Sequence, residues 1–227
     1  MEKLSLNKNW ICYVTGKRET QFATDVPHDA MLLDEKSETS AGGVNTGWIE
    51  AQDYTYERSL HISEKWNGKK LLLEFEGIYR KATVYVNRKK AAYHEYGYTG
   101  FYVDITESVN YGADNEIKVT VVNSDQPNSR WYSGTGIYRP VWLYIFPTEH
   151  ILRDEIRVKT LDYQKKKIAV DVKTTGVGML CTEIFDGEKL IVSKTIQSED
   201  TVENAICDVK EKTVEYHTEM VLEQTEL

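Results

Sequence analysis

Paired carboxylates, a serine set among aromatic rings, and histidines or cysteines at ligand spacing are the side chains that carry out chemistry. Glu74 and Glu76 stand two apart on Leu73-Glu74-Phe75-Glu76, and a carboxyl pair can divide acid and base work. Alternation along a strand explains them more simply, as solvated carboxylates on one exposed face. Ser133 lies between Trp131-Tyr132 and Gly134 without a G-x-S-x-G frame or a following helix, so it is not a nucleophile elbow and no hydrolase triad is expected. His94 and His150 lack the spacing of metal ligands. Cys12, Cys181 and Cys207 are an odd number with no CxxC pair, which reads as reduced structural thiols rather than a disulfide framework or zinc site. Neither a metal nor another cofactor is expected.

Two aspartates keep two readings open. Asp29, in Val26-Pro27-His28-Asp29, and Asp125, in Asn123-Ser124-Asp125 just before Gln126-Pro127-Asn128, both sit in turn-forming sequence. An aspartate there caps a backbone N–H two or three residues on; a loop carboxylate equally accepts hydrogen bonds from a ligand. The stretch from Tyr93 to Tyr98 holds three tyrosines, either a stacking platform or, more commonly, rings on a half-buried strand and turn. Arg130 and Arg139 flank Trp131-Tyr132 and suit a loop lock by bidentate pairing. Lys165-Lys166-Lys167 reads as a solvated turn.

The elements that must position these residues are strands. Tyr54, Tyr56, Leu60 and Ile62 share a face at period two, as do Leu71, Leu73 and Phe75, then Ala82, Val84 and Val86, Ile117, Val119 and Val121, and Val141, Leu143 and Ile145. Turn signals such as Asn67-Gly68 separate the runs at antiparallel spacing. Helical periodicity is scarce, so the expected class is all-β, with a first β-sandwich over residues 1–147. A boundary near Pro147 follows from composition: all five tryptophans and 13 of the 15 tyrosines precede it. Residues 148–227 repeat short alternating runs, with Asp186-Gly187 as a hairpin turn, which suits an immunoglobulin-like sandwich. Glu199 to Leu227 carries nine acidic residues against two lysines and reads equally as strand, short helix or tail.

The chain has 227 residues, 41% of them hydrophobic and 28% charged, a composition that folds. Its net charge is −8, which makes nucleic acid an improbable partner. Apolar runs such as Leu71-Leu72-Leu73 fall far short of the ~20 residues of a membrane span. Met1-Glu2-Lys3-Leu4-Ser5 lacks the basic and apolar parts of a secretory leader, so a cytoplasmic location is expected.

Five segments in order are similar to the N-terminal sugar-binding sandwich of family-2 glycoside hydrolases. They are Asp25-Val26-Pro27-His28-Asp29, the run from Phe75 to Asn87 (FEGIYRKATVYVN), Tyr96-Gly97-Tyr98-Thr99-Gly100-Phe101, Asp104-Ile105-Thr106, and the run from Arg130 to Leu143 (RWYSGTGIYRPVWL). The last looks more like β-galactosidases than β-glucuronidases or β-mannosidases. The resemblance implies a jelly-roll-like, galactose-binding-type β-sandwich over residues 1–147, an immunoglobulin-like sandwich over 148–227 and then a (β/α)₈ barrel supplying both catalytic glutamates. A barrel takes about 250 residues, so the expected catalytic residues within this sequence are none. By resemblance Asp29 and Asp125 face the terminal sugar of a β-galactoside; neighbouring His28 joins that set, more as a loop spacer than as a contact. The implied partners are a carbohydrate, the barrel and, through contacts between subunits, a second copy; an autonomous carbohydrate-binding module and an assembly domain are the competing readings. After residue 200 the resemblance fades, and the Leu-Trp-Ser-Pro segment usual in the family is not found.

Overall fold

A computed structural model of the chain describes residues 1–129, 134–197, 202–206 and 209–221. Ser133, Arg130 and Cys207, weighed above, lie outside the described residues. The chain divides into two compact units, Met1–Phe146 and Pro147–Leu227. Among the described residues both are built of strands and turns, without an α-helix, and no helix is long and apolar enough to cross a membrane.

Among the described residues the first unit has ten strands: β1 (Glu2–Ser5), β2 (Trp10–Val14), β3 (Phe22–Thr24), β4 (Tyr54–Ile62), β5 (Lys70–Phe75), β6 (Lys81–Val86), β7 (Lys89–His94), β8 (Phe101–Asp104), β9 (Ala113–Val122) and β10 (Val141–Phe146). They form an antiparallel four-stranded sheet, β1-β10-β5-β8, and an antiparallel six-stranded sheet, β3-β2-β4-β9-β6-β7. Period two decides which side chains meet between the sheets. Leu71, Leu73 and Phe75 of β5 and Val141, Leu143 and Ile145 of β10 share one core with Val84 of β6, Val119 of β9 and Tyr56 of β4. Each large apolar side chain so buried contributes about 1.5–3 kcal/mol.

Arg58 breaks the apolar alternation of β4. Its guanidinium donates to the Leu6 carbonyl at 2.5 Å and lies over the Trp10 ring, while burial lowers its pKa. The Trp10 indole N–H donates to that same carbonyl at 2.6 Å. The long connection from β3 to β4 carries two short 3₁₀ turns, Ala30–Leu33 and Gly43–Thr46.

Glu74 and Glu76 differ from the solvated pair expected of them. Glu74 is buried and accepts from the hydroxyls of Tyr102 (2.9 Å) and Tyr144 (2.8 Å); Glu76 accepts from the Trp142 indole at 2.6 Å. Large aromatic neighbours on β8 and β10 cover this face, so carboxylates at outward positions are still withdrawn from water.

The second unit has β11 (Ile151–Asp162), β12 (Lys167–Thr174), β13 (Met179–Asp186), β14 (Lys189–Gln197), β15 (Val202–Ile206) and β16 (Val209–Val221). One sheet runs β11-β12-β16-β15, and β13 pairs with β14 through the Asp186-Gly187 hairpin. Its core is Val170, Val172, Tyr216 and Met220, with Leu180 and Ile184 half-buried against them. Cys181 is exposed and free. The acidic stretch from Glu199 contains β15 and the whole of β16.

Candidate functional site

Strand register brings the singled-out residues to one end of the first unit. Tyr54 at the start of β4 pairs with Val121 near the end of β9, and Lys81 at the start of β6 pairs with Val122. Phe75 at the end of β5 pairs with both Val141 and Phe101. The loops that contain Asp29, Tyr79, Tyr96, Asp125 and Thr135 therefore all open at this end.

Asp29 caps the 3₁₀ turn Ala30–Leu33: its Oδ1 accepts from the backbone N–H of Met31 at 3.1 Å and also from that of Thr135 at 2.8 Å. The two loops are further laced by His28 N–H to the Ile137 carbonyl and Ala30 N–H to that of Thr135, both 2.8 Å. A Cβ on Gly134 would lie 2.4 Å from Asp29 Oδ2, so only glycine lets the loop close on this carboxylate. The capping role is thus real, with Oδ1 shared between two backbone N–H groups.

His28 is half-buried between Phe22 and Tyr56, its Nδ1 2.8 Å from the Tyr56 hydroxyl. Burial lowers its pKa, opposed in part by Asp29. Asp125 lies in the turn after β9, where its carboxylate pairs with the Lys81 ammonium at 2.5 Å. That bond, with Arg80 nearby, holds its pKa below the ordinary carboxylate value.

Between the two aspartates runs a network absent from the sequence-based list. Asn123 is fully buried. Its amide donates to the Gly134 carbonyl (3.0 Å) and the Thr135 hydroxyl (2.7 Å), and its Oδ1 accepts from Asn128 at 2.8 Å. Asn128 also donates to the Asp125 carbonyl at 3.2 Å and accepts from the Tyr79 hydroxyl at 3.0 Å. Asp53 caps the turn through the N–H groups of Asn123 and Ser124, both 2.9 Å. The signal lay in the sequence as an amide-rich turn following a strand, but amides have no periodicity that reports burial. Asp34, farther along the Asp29 loop, accepts from Gln52 at 2.8 Å and from the Tyr54 hydroxyl; burial raises its pKa. Among the described residues no group of three or more His, Cys, Asp or Glu side chains is placed to hold a metal ion.

Loops at one end of a β-sandwich, laced together by the Asn123 and Asn128 amides, bring Asp29, Asp125 and several tyrosines to that end. Residues 12–141 match the family described as glycosyl hydrolase 2 galactose-binding domain-like. The chain belongs to glycoside hydrolase family 2. It is 30% identical to a β-galactosidase of Bacteroides ovatus over 77% of this chain and 21% of that protein. It is 31% identical to a β-glucuronidase of Bacteroides fragilis, over 86% of this chain and 30% of that protein. A family-2 structure from Bacteroides cellulosilyticus superposes with a TM-score of 0.77 at 23% identity, covering 99% of this chain and 31% of the other. The chain thus corresponds to the N-terminal portion of these glycosidases, and matches a fifth to a third of their length. β-Galactosidases and β-glucuronidases match at similar identity, so identity alone does not separate the two kinds of relative.

Proposed function

We propose that these residues form the sugar-binding and linking sandwiches of a family-2 glycosidase acting on terminal β-galactosides, with the catalytic carboxyl pair supplied by a barrel. The loops of Asp29 and Asp125 form one wall of the pocket, their carboxylates accepting from hydroxyls of the terminal sugar, and His28 holds the Asp29 loop against β4. The supporting observation is the network from Asp29 through Thr135 and Asn123 to Asn128. It fixes two loops by buried hydrogen bonds, and such preorganisation lets a wall bind without paying for loop ordering. At Asp29 a neutral sugar fits better than a uronic acid, whose carboxylate would meet a like charge.

The test is kinetic. In a glycosidase carrying these units, Asp29→Ala is expected to raise KM for a chromogenic β-galactoside about tenfold or more, the loss of a charge-assisted hydrogen bond. These 227 residues alone are expected to give no turnover. Turnover by them, unchanged kinetics in Asp29→Ala, or a preference for the β-glucuronide would overturn the reading.

A further inference from the structure

The end of the sandwich that carries Asp29 and Asp125 also carries tyrosines that the proposed wall does not use. In the loop between β7 and β8, Tyr96 is 61% and Tyr98 42% exposed. Exposed rings usually belong to loose loops, but this one is pinned. The Tyr138 hydroxyl donates to the Gly97 carbonyl at 2.7 Å. Gly97 sits so close to the Tyr79 ring that a Cβ there would lie 2.4 Å from a ring carbon. Tyr98 packs edge-on against both Tyr79 (5.4 Å) and Tyr96 (5.7 Å), and its hydroxyl lies 3.0 Å from that of Ser129. Ser129 follows Asn128 directly, so this cluster continues the Asp125 turn.

A tyrosine with few rotatable bonds, held in place and left open to water, offers amphipathic contact area at little entropic cost. What suits it is a ligand with a C–H face and hydroxyl edges. The hydroxyls of Tyr98 and Ser129 at the edge of the rings suit neutral polar groups. We infer that Tyr96 and Tyr98, with Ser129 at their edge, are an outer stacking platform for a further sugar unit of a neutral oligosaccharide. That the terminal unit lies at Asp29 and Asp125 rests on the function proposed above; the platform's own contact does not.

The experiment is an amide-resolved NMR titration of the 227-residue chain with β-1,4-galactotetraose and, separately, with galactose, up to about 20 mM sugar, a range that reports weak binding. Tetraose is expected to shift amides of residues 95–100, with Kd raised about tenfold in Tyr96→Ala, the loss of one aromatic contact. Tyr98→Phe, which keeps the ring, is expected to bind within about twofold of the parent, and the dispersion of each spectrum shows that the variant is folded. Tetraose shifts that avoid residues 95–100, or tetraose binding unaltered in Tyr96→Ala, overturn the platform. Asp29→Ala with Asp125→Ala separates the two ideas. If tetraose still shifts residues 95–100 and galactose binding is unchanged by the double variant, the platform stands and the aspartate wall fails.

Discussion

Asn123 is the residue on which the loop end turns. A buried primary amide that satisfies a carbonyl, a hydroxyl and another amide leaves all three stranded when truncated, and an unsatisfied buried group costs about 1–3 kcal/mol. Asn123→Ala is therefore expected to lower stability by about 2–4 kcal/mol in urea unfolding followed by tryptophan emission, and to move the amide resonances of Asp29 and Met31 through Thr135. A loss under about 0.5 kcal/mol would mean that water replaces the amide fully. His28 carries a pH prediction of definite sign. Its folded-state pKa lies below the ordinary value of ~6.5, so the unfolded chain takes up the proton more readily. Stability from this group is full above about pH 6.5 and is lost as pH falls toward the folded pKa. The His28 ring resonances should titrate below ~6.5, and a midpoint at or above that value contradicts the burial argument. Asp29 and Asp125 were legible in the sequence as loop carboxylates, because proline and asparagine around them announce turns. Asn123 and Asn128 stood in the same quoted stretches, yet nothing in an amide's identity says whether water or protein satisfies it. Glu74 shows the same limit: its outward position follows from alternation, but the tyrosines that bury it come from strands far along the chain.

At the scale of elements, the long interior strands of the first unit announced themselves and its edge strands did not. The runs that became β4, β5, β6, β9 and β10 alternate because each has one face in the core. β1 is exposed along its whole length, and β7 opens on Lys89 and Lys90 with both exposed; edge strands bear charge and need no apolar period. In β16 the buried positions Tyr216, Thr218 and Met220 do alternate, but a threonine and surrounding acids hide the pattern. How an edge is fastened can be tested at β8. Asp104 pairs with the Lys70 ammonium of β5 at 2.7 Å and accepts from the Thr106 N–H (3.0 Å) and hydroxyl (2.6 Å); that hydroxyl in turn accepts from Leu71 N–H at 3.0 Å. Burial alone would raise the Asp104 pKa, and these partners outweigh it, leaving the folded value below the ordinary one. The contribution is thus complete above the unfolded value of ~3.9 and disappears as pH falls through the lower folded value. Asp104→Asn is expected to cost about 1 kcal/mol near neutral pH and to flatten the acid limb of stability against pH. An unchanged acid limb would assign that dependence to other carboxylates.

At the scale of the whole molecule the two units differ in what holds them. The first has a continuous core from Leu6 on the first loop to Ile145 on β10, including the fully buried Trp10 and Tyr56. Among the described residues the second has a small cluster of Val170, Val172, Tyr216 and Met220, with Ala169 also buried and Tyr216 exchanging hydrogen bonds of 2.9 and 3.0 Å with the Gly178 backbone. It carries the larger share of the negative charge as well: 17 acidic and 11 basic residues over 148–227 give −6, against 19 and 17, or −2, before it. Burial scales with core size and self-repulsion opposes compaction, so the second unit is expected to open at lower urea. All five tryptophans lie in residues 1–146, which makes tryptophan emission a report on the first unit alone, while hydrogen exchange at amides of β12 and β16 reports the second. Exchange there should be faster than in β4 and β9, and Tyr216→Ala, at about 3–5 kcal/mol, should abolish protection in β12 while leaving the tryptophan transition in place. If the tryptophan transition moves with that of β12 in Tyr216→Ala, the two units unfold as one cooperative body and the smaller core is not the weaker link.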